Sequence, residues 1–106
     1  MDHGVAKQGL VRERDIEAYL RDQVRAAGGR AYKFESPGNA GVPDRLVLLP
    51  GGRVTFVELK APGKKPTPLQ LAQAEKIRRL GFTVDVIDSK QGVDAFIQQA
   101  CQIGRR

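Results

Sequence analysis

The sequence predicts an α/β fold in which helices flank a mixed four-stranded sheet. Apolar residues recur every three or four positions over residues 10–27, as they do in an amphipathic helix. Alternating apolar segments lie on either side of Pro50-Gly51-Gly52, which is typical of a hairpin. A strand–helix–strand unit over residues 53–87 then favours a parallel, right-handed crossover. Together these patterns give the element order α-β-β-β-α-β-α.

The first half of the chain contains one predicted helix and three predicted strands. The apolar face of the helix over 10–27 consists of Ile16, Tyr19, Leu20, Val24 and Ala27. Gly28-Gly29 ends this helix, as glycine often does past a helix C-terminus. The predicted strands span 31–34, 44–49 and 53–60, and a loop rich in Gly, Pro, Ser and Asn occupies 35–41.

The second half begins with a basic loop over residues 61–66. Thr67 is the expected N-cap of the next helix, with Pro68 in its first position and its end near Leu80. The residues expected on its apolar side are Leu69, Ala72, Ile77 and Leu80. A strand follows over 82–87, and either Asp88 or Ser89 caps a last helix over 92–101.

Composition indicates one domain over residues 1–106, with a core from about 10 to 101 and loose tails at 1–9 and 102–106. No run approaches the ~18 apolar residues of a membrane helix, so we expect no membrane partner. The lone Cys101 cannot form an internal disulfide, which favours a reducing cytosol. The net charge of +6 suits a polyanion, and backbone phosphates of nucleic acid are the simplest partner.

The predicted hairpin can bring two acidic residues, Asp44 and Glu58, next to each other. If Pro50, Gly51 and Gly52 form a three-residue loop, Asp44 lies opposite Glu58 on the same face of the sheet. A two-residue loop would shift the pairing by one and separate them. Lys60 shares the face of Glu58, because side chains two residues apart on a strand point the same way.

Two adjacent carboxylates repel each other unless a cation lies between them, and hard oxygen ligands suit Mg²⁺ or Mn²⁺. Lys60 would then hold or deprotonate an attacking water, or neutralise charge on a phosphate. A lone E-x-K is more often a solvated strand edge. The added Pro43-Asp44, the hairpin spacing and the apolar strands favour a site for phosphodiester cleavage.

The combined motifs resemble those of the PD-(D/E)XK nuclease superfamily, and more closely the stand-alone VRR-NUC domains of phage and bacteria. The resemblance covers about residues 11–98. Its matching segments are Glu13 to Glu17, Gly41 to Arg45, Val57 to Lys60, and Gln70. It implies a restriction-endonuclease-like αβββαβ core with a C-terminal helix.

The resemblance also implies roles for individual residues. Asp44, Glu58 and the backbone carbonyl of Leu59 would bind the metal, and Lys60 would position or activate the water. Glu13 would complete the acidic cluster, directly or through water. Glu17, four residues on and on the same helical face, is the alternative helix carboxylate. Gln70 would support the lysine or the scissile phosphate, although an exposed first-turn glutamine is an equally good interpretation.

Basic residues near these motifs are candidates for DNA binding. Lys64 and Lys65 directly follow the E-x-K strand, so they are placed to contact phosphates near the cut. Arg45 follows Asp44, although a regular strand would point it to the opposite face.

The leading hypothesis is a Mg²⁺- or Mn²⁺-dependent, structure-selective DNA endonuclease resembling a Holliday-junction resolvase. The expected substrate is branched DNA such as a four-way junction, because a chain of this size has little surface for reading base sequence. The resemblance implies a homodimer in the cytoplasm of a bacterium or a phage-infected host cell. The alternatives are a non-catalytic DNA-binding subunit with a nuclease fold, or a nuclease for other DNA forms or RNA.

Overall fold

The computed structural model describes residues 10–104, with side-chain surroundings through Cys101. This part of the chain contains α1 (Glu13–Ala26), β1 (Arg30–Lys33), β2 (Arg45–Leu49), β3 (Arg53–Leu59), α2 (Pro68–Arg79), β4 (Thr83–Ile87) and α3 (Lys90–Gly104). Their order is the one that the sequence predicts. Within these residues, no helix is long and apolar enough to cross a bilayer.

The sheet is mixed and has the strand order β1-β2-β3-β4. β1, β2 and β3 form antiparallel pairs, whereas β3 and β4 run parallel because α2 carries the chain back across the sheet. Leu49 pairs with Arg53. Gly51 and Gly52 take positive φ values of 86° and 77° in the loop between them. The predicted three-residue loop and its register are therefore confirmed.

The main core lies between one face of the sheet and the helices α1 and α3. Its buried members are Ile16, Leu20, Val24, Val47, Leu49, Val57, Leu59, Ile87, Val93 and Phe96. The Tyr19 hydroxyl donates to Asp94 Oδ1 over 2.7 Å and links the two helices. Because strand side chains alternate, Glu58 points to the other face of the sheet, where α2 lies.

The apolar side that we predicted for α2 is wrong for Leu69, Ala72 and Leu80, which are exposed, and right for Ile77, which is half-buried. Leu69 and Leu80 are 53% and 77% exposed, and Ala74 is the buried residue of this helix. The inward side instead carries Gln70, Gln73, Ala74 and Ile77, at helical spacings of three and four. A polar inner side fits this position because α2 covers the part of the sheet that carries Glu58.

Element ends differ from the predictions by two or three residues at three places, and by at most one residue elsewhere. α1 begins at Glu13 instead of Leu10, where the Arg12 N–H donates to Asp15 Oδ2 over 2.9 Å. α3 begins at Lys90 instead of Gly92, and its cap is Ser89, one of the two predicted caps, whose Oγ accepts from the Gly92 N–H over 2.9 Å. α3 continues to Gly104, past the predicted end at 101. The remaining predicted tail residues, 1–9 and 105–106, lie outside the described part of the chain.

Candidate active site

The β2–β3 hairpin brings the first two acidic residues together. Arg45 pairs with Val57, and one step further the same register puts Asp44 level with Glu58. The backbone N–H of Leu59 donates to Asp44 Oδ1 over 3.1 Å. The Asp44 carboxylate is therefore held against the end of β3, next to the side chain of Glu58.

Glu58 is a buried carboxylate, with 5% of its surface exposed. Burial raises the pKa of Glu58 from 4.5 to about 7, with a further rise from the charge of Asp44. Lys60 acts in the opposite direction, and its Nζ lies 3.6 Å from Glu58 Oε2. Burial likewise raises the pKa of Asp44, although the Leu59 N–H partly opposes this. Two acids that disfavour each other's charge would be stabilised as anions by an added cation.

The two candidate helix carboxylates have different surroundings. Glu13 begins α1, and its charge raises the pKa of both hairpin acids. Glu17 lies one turn later, with Oε1 2.8 Å from Arg21 Nη1 and Oε2 3.5 Å from Arg45 Nε. Glu13 therefore acts on the acidic pair, while two arginines neutralise Glu17.

Gln70 reaches Glu58 from the first turn of α2. Its Nε2 donates to Glu58 Oε2 over 2.9 Å. Its Oε1 accepts from the Thr67 N–H over 2.9 Å, and Thr67 Oγ1 accepts from the Gln70 N–H over 3.2 Å. This capping box turns the amide of Gln70 so that its NH₂ group faces the carboxylate. Gln70 is thus not the exposed first-turn glutamine considered above.

α2 also fixes the loop that leads to Asp44. Gln73 Nε2 donates to the carbonyl of Ala40 over 3.3 Å. Gly41 has a φ of 90°, and a Cβ atom there would lie 2.9 Å from Leu69 Cγ. Only glycine combines this conformation with so close an approach. The start of α2 therefore holds both acids of the hairpin, one through Gln70 and one through this loop.

The predicted DNA-binding residues fall into two groups. Lys64 and Lys65 are exposed in the loop after β3. The Gly63 N–H fixes this loop by donating to Asp88 Oδ2 over 3.2 Å. The side chain of Arg45 is 16% exposed and its guanidinium contacts Glu17, so a DNA contact by Arg45 stays a prediction. Strand alternation turns Arg45 toward α1 and away from the face that carries Glu58.

The donor set suits a hard divalent cation. Mg²⁺ is usually held by one or two carboxylates together with water and substrate phosphates, and not by a complete protein cage. Asp44 and Glu58 supply two such carboxylates. Among residues 10–101, no three His, Cys, Asp or Glu side chains lie close enough to hold a metal by themselves. The role of Glu13, directly or through water, stays a prediction.

Comparison with known proteins identifies the family. A relative named "Putative nuclease p44", from Acyrthosiphon pisum secondary endosymbiont phage 1, is 57% identical over 81 residues, which make up 76% of this chain and 87% of the relative. A solved structure described as a "VRR_NUC domain" has a TM-score of 0.76 at 38% identity, and the match covers 81% of this chain and 94% of that one. The chain belongs to the VRR-NUC nuclease family. No family model matches the chain.

This membership confirms the predicted restriction-endonuclease-like α/β fold and the nuclease function. Two features of the VRR-NUC site were missed from the sequence. Thr67 was predicted as a helix cap without a link to the site, although the spacing T-x-x-Q of a capping box was a usable signal. The contact between Arg45 and Glu17 carried no sequence signal, since the two residues lie on different elements.

Proposed function

We propose that this VRR-NUC protein is a Mg²⁺- or Mn²⁺-dependent DNA endonuclease that selects branched DNA, in the manner of a Holliday-junction resolvase. The observation that carries the proposal is the acidic pair of Asp44 and buried Glu58, with Lys60 Nζ 3.6 Å from Glu58 Oε2. A surface that only held phosphates would gain nothing from clustered carboxylates, because they repel phosphate. In a hydrolase, by contrast, the carboxylates would bind a cation and the lysine would act on the water or the phosphate.

Asp44, Glu58 and the Leu59 carbonyl would hold the cation, with Glu13 contributing through an intervening water. When bound, the cation would neutralise charge on the phosphate and support the attack of water on phosphorus. The new bond joins the water oxygen to phosphorus, and the bond to the 3′-oxygen breaks. Lys60 orients the water or donates to the phosphate oxygen on which charge develops. Gln70 keeps one oxygen of Glu58 occupied, which directs the other toward the cation.

The substrate proposal follows from charge and size. The net charge of +6 and the exposed Lys64 and Lys65 favour binding to phosphates rather than base edges. Contacts to phosphates do not read base sequence, so we propose that the target is a shape of DNA. We further propose a homodimer, since two sites related by a two-fold axis match the symmetry of a four-way junction.

The test is cleavage of a synthetic four-way DNA junction beside linear duplex, single-stranded DNA and a matched RNA duplex. Each substrate is incubated with Mg²⁺, Mn²⁺ or EDTA, using the natural protein and Lys60→Ala. We expect paired, metal-dependent nicks on the junction that the variant does not make. Cutting of the other substrates alone would retain a nuclease and reject the resolvase. Tight binding of DNA without any cutting would instead favour the non-catalytic subunit.

Gln70→Ala should slow cleavage by about 10- to 100-fold, as loss of residues that orient metal ligands commonly does. Thr67→Ala should have a smaller effect in the same direction. The backbone N–H at position 67 would still donate to Gln70 Oε1, and only the Oγ1 that accepts from the Gln70 N–H would be lost. Single-turnover rates at saturating Mn²⁺ measure both. Gln98→Ala, at an exposed position of α3, is the matched control and should cleave much faster than Gln70→Ala. Equal rates for the two glutamine variants would remove Gln70 from the site.

The double variant Lys64→Ala/Lys65→Ala should weaken junction binding at every salt concentration. Each phosphate contact that is lost should reduce the slope of log K against log salt by about 0.9 for duplex arms. Fluorescence anisotropy between low and moderate salt measures this slope. Glu75→Gln, at an exposed position of α2, serves as a control for surface changes in general. An unchanged slope would place the DNA on another surface.

A further inference from the structure

Arg45 occupies an unusual position beside the site. It is the first residue of β2, and its Nη1 donates to the main-chain carbonyl of Asp44 over 2.7 Å. Its Nε lies 3.5 Å from Glu17 Oε2, and the two side chains are 16% and 20% exposed. One partly buried guanidinium therefore joins the backbone of a proposed metal ligand to the middle of α1.

The Asp44 peptide is fixed from several directions. Its carbonyl accepts from the Phe34 N–H over 2.9 Å as well as from Arg45. Its side chain accepts from the Leu59 N–H over 3.1 Å. Asp44 lies one position before β2, where ladder hydrogen bonds to β3 no longer restrain it. The contact from Arg45 adds restraint at the point where strand pairing stops.

The Arg45 guanidinium also contacts a second carboxylate, that of Glu17. Glu17 and Glu13 are four residues apart on one helical face, about 6 Å along the axis. Arg45 and Arg21 both contact Glu17. Without Arg45, Arg21 would be the one cation left on Glu17 among residues 10–101, and the negative charge of Glu17 would add to the field of the acidic pair.

We infer that Arg45 is a positioning residue that holds the Asp44 backbone in place and keeps Glu17 out of the acidic cluster. This role rests on the proposed function, and it replaces the DNA contact that the sequence predicted for Arg45. This role predicts that Arg45→Lys reduces cleavage. An ammonium group retains the charge, but it lacks the fork that reaches the Asp44 carbonyl and Glu17 together.

The test uses Arg45→Gln, Arg45→Lys, Glu17→Gln and the double variant Arg45→Gln/Glu17→Gln. Arg21→Gln is the matched control, because it removes the other cation on Glu17 without touching Asp44. Three quantities are measured: Mn²⁺ affinity by calorimetry, the free energy of unfolding in EDTA, and single-turnover cleavage at saturating Mn²⁺. Cleavage is compared only among variants that are fully folded at the assay temperature.

For Arg45→Gln we expect cleavage to fall by about 10- to 100-fold. Mn²⁺ should bind roughly three- to tenfold more tightly, because the site loses a cation and gains the charge of Glu17. In the double variant, Mn²⁺ affinity should return close to the natural value while cleavage stays low. Arg45→Lys should keep natural Mn²⁺ affinity with reduced cleavage. Arg21→Gln should keep natural cleavage and raise Mn²⁺ affinity less than Arg45→Gln, because Arg45 would still hold Glu17.

Two results would overturn the inference. One is unchanged Mn²⁺ affinity and cleavage in a folded Arg45→Gln. The other is Mn²⁺ binding that weakens in Arg45→Gln and does not respond to Glu17→Gln. If the natural protein cuts no DNA, the proposed function fails, but the Mn²⁺ affinities still decide whether Arg45 restrains Glu17. The two failures are therefore distinguishable.

Discussion

Lys60→Ala should lower metal-dependent cleavage by about 10²- to 10⁴-fold, the usual effect of losing a group that transfers protons or stabilises developing charge. Lys60 follows β3 directly and shares the face of Glu58, with its Nζ 3.6 Å from the Glu58 carboxylate. That position would let the ammonium reach a phosphate bound through a cation on the acidic pair. The measurement is the single-turnover rate on the best DNA substrate at saturating Mn²⁺.

In Lys60→Ala the chemical step should be slower, while metal binding and folding should be retained. Removing a cation beside Glu58 leaves the acidic pair more negative, so Mn²⁺ should bind at least as tightly as before. Lys64→Ala is the matched control, since it removes the same charge four residues later from an exposed loop. It should retain most of the cleavage at saturating DNA. A Lys60→Ala protein that cleaves at the rate of Lys64→Ala would exclude Lys60 from the reaction.

The parts of this site that follow from local patterns could be predicted from the sequence. Period two and the Pro50-Gly51-Gly52 loop set the register of the hairpin, and the pairing of Leu49 with Arg53 confirms it. That register depends on one loop length and a fixed strand geometry. The position of Asp44 opposite Glu58 follows from this register, and no distant contact is needed to predict it.

The parts that depend on the rotation of helices could not be predicted in the same way. The hydrophobic pattern predicted that Leu69 and Leu80 face the core, and both are exposed. A pattern that counts hydrophobicity alone gives no weight to Gln70, which does face inward. The inner side is polar since it covers a charged site, which no local window can reveal. Likewise, strand alternation gave the correct face for Arg45, but its partner Glu17 belongs to a helix placed only by tertiary packing.

Glu58→Gln should abolish most cleavage and yet stabilise the metal-free protein above neutral pH. The pKa of Glu58 is raised from 4.5 to about 7 by burial first and then by Asp44. The folded protein therefore binds a proton more readily than the unfolded chain. The stability that Glu58 contributes is fully present below pH about 4.5 and is lost as pH rises through about 7. Glutamine imitates the protonated form at every pH and does not lose it.

Denaturant unfolding in EDTA at two pH values measures this difference. At pH about 4, the natural protein and Glu58→Gln should be nearly equal in stability; at pH about 8 the variant should be more stable, by at most about 3 kcal/mol. The amide oxygen of the new glutamine can still accept from Gln70 Nε2. Glu75→Gln, at an exposed position, should change stability by less than about 0.5 kcal/mol.

Added Mn²⁺ should reverse the order. By the proposed function, Mn²⁺ would bind only the folded natural protein with its two carboxylates, so it should raise the stability of that protein and leave Glu58→Gln almost unchanged. The stability that the metal-free protein loses at high pH is then the electrostatic cost of an ionised Glu58 in a site that has no cation bound. A natural protein that is more stable than Glu58→Gln at pH about 8 in EDTA would mean that Lys60 and Gln70 already compensate the buried charge. The repulsion between Asp44 and Glu58 would then no longer argue for a bound metal.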